Sequence, residues 1–148
     1  MSPTRAASRG ERGSLAGLSP RAWLWMAVLA AAAAAAYWSG LDTPFLLDDP
    51  INITKNPRIE RPLGFFELLA DPRAVVTASL RWNYLAGGFD VTGYHLLNLC
   101  AHAVTGLLLF LLARTTLRLD VFGGRYSRSA DDLAGVIALL FLLHPMQT

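Results

Sequence analysis

The chain has one cysteine, Cys100, so an internal disulfide is excluded. Cys100 lies inside an apolar run and reads as a small packing residue, which leaves the redox compartment unmarked. Charge is scarce as well. Charged residues make up 16% of the 148 positions, against 53% hydrophobic ones, and the mean hydropathy is +0.37. That balance excludes an ordinary soluble domain and makes an integral membrane protein the first expectation. Lysine is nearly missing: the basic residues are almost all arginine, and they cluster. Residues 1–20 are rich in Arg, Ser, Gly and Ala with little apolar content, so they read as a disordered basic tail. The tail lacks interleaved aromatics, so no nucleic-acid partner is expected.

What is present is a sequence of apolar segments separated by short polar ones. Residues 22–38 (AWLWMAVLAAAAAAAYW) carry no charge. At 1.5 Å per residue this is about 25 Å, enough for a short transmembrane helix. Trp23 and Trp25 mark one end and Tyr37 and Trp38 the other, as aromatic residues do at two membrane interfaces. A cleaved signal peptide is the competing reading; the aromatic pairs favour a retained anchor. Residues 94–113 (YHLLNLCAHAVTGLLLFLLA) form the second span. Residues 129–143 begin a third, and 144–148 open a further loop.

Between the first two spans, residues 39–93 are too short and too poor in core candidates to fold as a soluble domain. Residues 62–70 (PLGFFELLA) predict a short helix stopped by Asp71-Pro72, and residues 74–86 a second one closed by Gly87-Gly88. Short apolar helices holding Trp, Tyr and Arg often lie in the headgroup plane. Packing as a lid on the bundle is the other reading. The basic tail and the arginines of 114–128 are two spans apart. By the positive-inside rule both are cytoplasmic and 39–93 is periplasmic or lumenal.

Two features could carry chemistry. Asp48 and Asp49 sit side by side in a segment stiffened by Pro44, Pro50 and Pro57. Adjacent carboxylates repel when ionised, so one pKa rises or a cation settles nearby; a solvated turn before a proline is the plainer reading. His95, Asn98 and His102 fall within roughly 60° of one another on a helix, giving one polar stripe in the second span. Such groups face a bundle interior or a wet cavity. Hydrogen-bonded packing and ligand contact both remain open for them, whereas a metal site lacks a third nearby ligand.

Residues 45–57 (FLLDDPINITKNP), 80–102 (LRWNYLAGGFDVTGYHLLNLCAH) and 143–148 (LHPMQT), in this order, resemble the multi-span, TPR-bearing protein O-mannosyltransferases and their bacterial relatives. The resemblance implies an all-α integral membrane fold, a multi-span helical bundle of the GT-C class with short helices in its first extracytoplasmic loop. This chain would be the incomplete N-terminal piece, inactive alone. It also implies a lipid bilayer setting, a polyprenyl-phosphate sugar donor, mannose foremost, and a protein Ser or Thr hydroxyl as acceptor. The catalytic acids of the first loop would be Asp48 and Asp49. No cofactor follows from it, though a divalent cation is compatible with the acids. Arg73 is the first candidate for the donor phosphate and Arg81 the second, with His95, Asn98 and His102 near the lipid. Relatives carry Arg-Pro-Leu where this chain has Arg73-Ala74-Val75; the arginine is kept in register and the proline is not. A non-catalytic anchor, or a transporter fragment with a histidine proton relay, is the alternative.

Overall fold

A computed structural model describes residues 17–47, 49–62 and 64–144. Most of the tail, Asp48, Leu63 and residues 145–148 lie outside the described residues, and with them one of the two candidate acids and most of the terminal His-Pro match. Among the described residues there are helices and turns and no strand.

The first helix, α1 (Pro20–Tyr37), starts earlier than the expected 22–38 because Ser19 caps it. The Ser19 hydroxyl oxygen accepts the Ala22 N–H at 3.0 Å, and Pro20 fills a first-turn position where no amide hydrogen is needed. A 3₁₀ turn (Trp38–Gly40) ends it. The loop then holds a short π-helical turn (Pro50–Thr54), α2 (Pro57–Glu60), α3 (Phe65–Leu69) and α4 (Ala74–Gly87). Helix α3 falls within the expected 62–70, and α4 runs one residue past the expected 74–86. Gly88, at φ 63°, stops α4, a left-handed value that glycine adopts without a side-chain clash.

The long helix α5 (Val91–Leu117) overruns the expected 94–113 at both ends. Asp90 caps it by accepting the Thr92 N–H at 3.2 Å, which sets the start. At the other end Arg114 is buried inside the helix and not in a basic loop. A 3₁₀ turn (Asp120–Phe122) and Gly123-Gly124 lead into α6 (Ala130–Leu143).

Helices α1 and α5 are long and apolar enough to cross a membrane. At 14 residues α6 spans about 21 Å, short of a bilayer's hydrocarbon core. The three pack on a shared core of Ala22, Leu29, Ala33, Phe110, Ala134, Ala138 and Leu142. Small residues let the backbones approach. Gly135 lies under the Trp25 indole and Gly106 under the Leu142 side chain. Leu24, Leu108, Leu112 and Leu140 turn outward and are exposed.

A second, smaller core positions the loop. Ile53, Ile59 and Tyr94 are buried together with Phe45, Leu80 and Tyr84 packed against them. Phe45 meets Tyr94 edge to face at 5.4 Å, and the Tyr94 hydroxyl donates to the Gly88 carbonyl at 2.9 Å. Phe45 and Ile53 bracket the acidic positions in sequence. Their burial therefore fastens that segment to the first turn of α5 on both sides.

Candidate functional site

The acidic segment makes a tight turn. The Asp49 N–H donates to the Leu46 carbonyl at 3.0 Å, and the Asp49 carboxylate accepts the Leu46 N–H at 3.1 Å. Leu47 occupies the left-handed region at φ 53°, unusual for a residue with a branched side chain, and is 97% exposed. Asp49 is half-buried. One of its oxygens is engaged by that backbone N–H, and an ionised carboxylate has further acceptor sites.

Arg73 sits at the start of α4, where a small cavity of about 160 Å³ is lined by Asn52, Asn56, Arg58, Asp71, Thr77 and Arg73 itself, with Val76 and Leu80 below. The Arg73 guanidinium points at the Asn52 amide oxygen at 3.4 Å. Asp71 accepts from the Arg73 N–H at 2.8 Å, from the Thr77 hydroxyl at 2.7 Å and from the Arg58 guanidinium at 3.1 Å. The backbone N–H of Arg73 first, then the Thr77 hydroxyl, hold its carboxyl below the ordinary aspartate value. Partial burial opposes this, and the charges of Arg58 and Arg73 add to it.

Arg81 does not line this cavity. Its guanidinium donates to the Ile59 carbonyl at 3.1 Å and to the Arg61 carbonyl, clamping the end of α2 onto α4.

His95, Asn98 and His102 line one larger cavity of about 420 Å³, together with Tyr37, Gly40, Leu41, Thr43 and Leu99. His95 Nε2 lies 2.8 Å from the Thr43 carbonyl oxygen and His102 Nε2 lies 3.0 Å from that of Leu142. A carbonyl only accepts, so Nε2 is the donor in both contacts. Among the described residues no arginine or lysine lines this cavity, and such a lining suits hydroxyl-bearing or apolar groups better than a free phosphate.

The two cavities thus separate the expected site residues. The histidine stripe is brought together in one, Arg73 lies in the other, Arg81 is a backbone clamp, and Asp49 sits in the turn before Asn52. Sequence reasoning missed Arg58 and Asp71, which meet thirteen positions apart; Asp71-Pro72 signalled only the stop of the 62–70 helix. It also missed Tyr37 and Thr43 as wall residues. Among the described residues no group of three His, Cys, Asp or Glu could hold a metal ion.

No family model matches the chain, and no solved structure matches it. Among curated proteins it is similar to the Protein O-mannosyl-transferase Tmtc1 of Drosophila melanogaster, with 42% identity over 76 residues. That stretch is 51% of this chain and 8% of the fly protein, so the chain spans less than a tenth of that relative's length.

Proposed function

We propose that this chain is the N-terminal membrane part of a GT-C type glycosyltransferase. It would move a sugar, mannose foremost, from a polyprenyl-phosphate donor to a protein Ser or Thr hydroxyl. The observation that carries the reading is the 42% identity over 76 residues to a protein named as an O-mannosyltransferase. Two helices able to cross a bilayer fit it, as does an acidic turn fastened beside the start of the second. On this reading 39–93 is periplasmic or lumenal, α6 is the beginning of a third span, and TPR repeats belong to the rest of the protein.

A hydroxyl is a weak nucleophile, and a carboxylate within reach improves it by taking its proton. One of Asp48 and Asp49 takes that proton as the hydroxyl oxygen bonds to the sugar's anomeric carbon. The bond from that carbon to the phosphate oxygen breaks, and polyprenyl phosphate leaves with the electron pair. Arg73 steadies the charge that develops on the leaving phosphate. His95, Asn98 and His102 line the cavity for the neighbouring part of the donor. Replacing Asp48 and Asp49 with Asn in the full-length protein containing this chain abolishes sugar transfer while membrane insertion is kept. Transfer that persists in the double variant would remove the acids from the mechanism.

A further inference from the structure

We infer that Asp71 is a positioning residue: it holds Arg58 and Arg73 at one cavity, where the two guanidiniums form a paired receptor for a phosphoryl group. The inference rests on the donor reading above for the source of that phosphate, and its own geometry is independent of it.

Asp71 lies in a turn, yet its side chain is only 6% exposed. Its two oxygens are divided between two helices. One accepts the Arg73 N–H at 2.8 Å at the start of α4. The other accepts the Thr77 hydroxyl, also on α4, and the Arg58 guanidinium, which comes from α2. The first two contacts stay within the start of α4, whose N-cap, Arg73, makes no side-chain cap bond of its own. The third reaches across the loop and draws a second cation to the cavity wall.

That leaves an excess of positive donors. Arg58 uses one of its five N–H groups on Asp71. Among the described residues no carboxylate lies within ion-pair distance of the Arg73 guanidinium, whose side-chain contact is the long one to Asn52. Among the described lining residues two guanidiniums face one carboxylate, a balance of one positive charge. Forked donors of this kind match phosphate oxygens. Asn52 lies three residues past Asp49, so an anion held here would be close in the chain to the acidic turn. Without Asp71 the two arginines would repel, and Arg58 would be free to turn outward into water.

The test uses the full chain in lipid nanodiscs with two probes, polyprenyl-phosphate mannose and inorganic pyrophosphate. Arginine accessibility is read in parallel by phenylglyoxal modification and mass spectrometry. Asp71→Asn is expected to speed modification of Arg58 several-fold while the exposed Arg125 is unchanged. It is also expected to weaken binding of the probe by at least about tenfold, as Arg58→Gln and Arg73→Gln do. Thr77→Val removes a contact to Asp71 without removing its charge, so it should weaken binding less; equal losses in the two variants would reduce Asp71 to a packing contact of α4 and overturn the inference. Unchanged binding in Asp71→Asn would overturn it too. Asp71→Glu, which keeps the charge, should recover part of the affinity, and its failure to do so in a folded variant would count against positioning. If pyrophosphate binds in an Asp71-dependent way and the lipid donor does not, the donor reading fails and the receptor stands. If neither binds to the wild-type chain, both fail.

Discussion

Arg114 donates its Nε–H to Asp131 Oδ1 at 2.7 Å, and Arg118 reaches the same oxygen at 2.8 Å. The second Asp131 oxygen accepts the Ser19 hydroxyl, the same group that caps α1. Three helices therefore converge on one buried carboxylate. The neighbouring Asp132 turns to α1, accepting the Trp25 indole N–H at 2.9 Å with Arg21 at 3.8 Å.

Removing the carboxylate alone leaves Arg114 buried and unpaired. Asp131→Asn is expected to destabilise the packed helices by about 3–5 kcal/mol, the usual result of breaking a buried pair from one side. Arg118 is more than a third exposed, so Arg118→Gln should cost under about 1 kcal/mol. Thermal unfolding in detergent micelles, followed by circular dichroism, separates the two. Comparable losses would mean that Arg118 depends on the carboxylate as strongly as Arg114 does.

Helix contact depends on two glycines. A methyl group at Gly135 would overlap the Trp25 indole, a rigid ring that is also tied to Asp132. At Gly106 it would come within 2.6 Å of the Leu142 side chain, which can rotate. Gly135→Ala should therefore cost more than Gly106→Ala, within a range of about 1–3 kcal/mol for overpacking. Trp25→Leu should recover part of the Gly135→Ala loss, measured as a coupling in a double-mutant cycle. Simple additivity would place the indole elsewhere.

The Asp71 carboxyl has a lower pKa in the folded chain than its ordinary value of 3.8. Its contacts thus stabilise the loop fully above the unfolded-state value. They weaken as pH falls below about 4 and are lost as it passes through the folded-state value. Hydrogen exchange across α2 and α4 should accelerate in that acid window in the wild type. In Asp71→Asn it should be faster already at neutral pH, with this part of the acid dependence gone. An unchanged acid profile in the variant would assign the sensitivity to other carboxylates.

Much of this architecture is legible in the sequence for simple reasons. The apolar runs of α1 and α5 exceed what any polar loop contains, and Gly87-Gly88 punctuates α4 openly. The helical period alone puts His95, Asn98 and His102 on one face, and the structure has all three on one cavity wall. Helix ends are harder to read. Val91, Thr92 and Gly93 look like loop residues until Asp90 is seen capping them. Arg114 and Arg118 look like a solvated basic loop, because nothing local announces that Asp131 will meet them after a turn of more than ten residues. Arg58 and Asp71 are hidden for the same reason, since their meeting depends on how α2 packs against α4.

Leu47 holds a left-handed backbone conformation with its side chain in solvent. An L-residue there costs about 1–2 kcal/mol, and no packing offsets it. Leu47→Gly should stabilise the turn by up to about 1 kcal/mol after the extra freedom of glycine in the unfolded chain is counted. Leu47→Val should destabilise it. Protease resistance of the 41–56 segment reads both. On the proposed reading, strain at Leu47 beside Asp49 constrains the turn, and any sugar transfer by the full-length Leu47→Gly protein should fall even as the turn grows more stable. A turn made less stable by glycine would mean that Leu47 is not strained.

The Leu142 carbonyl near the end of α6 accepts two bonds, from the Tyr37 hydroxyl at 2.7 Å and from His102 Nε2 at 3.0 Å. Carbonyls in a last helical turn have no partner within the helix, and a buried one left bare costs about 1–3 kcal/mol. With two donors present, losing one leaves the other in place. Tyr37→Phe or His102→Leu alone should then cost about 1 kcal/mol for its bond, with the edge-to-face contact of the two rings at 5.3 Å adding a share. The double variant strands the carbonyl and should cost more than the sum of the two single losses. A double-mutant cycle with additive or smaller losses would show that water replaces the missing donors, and would mark the cavity as wet at this depth.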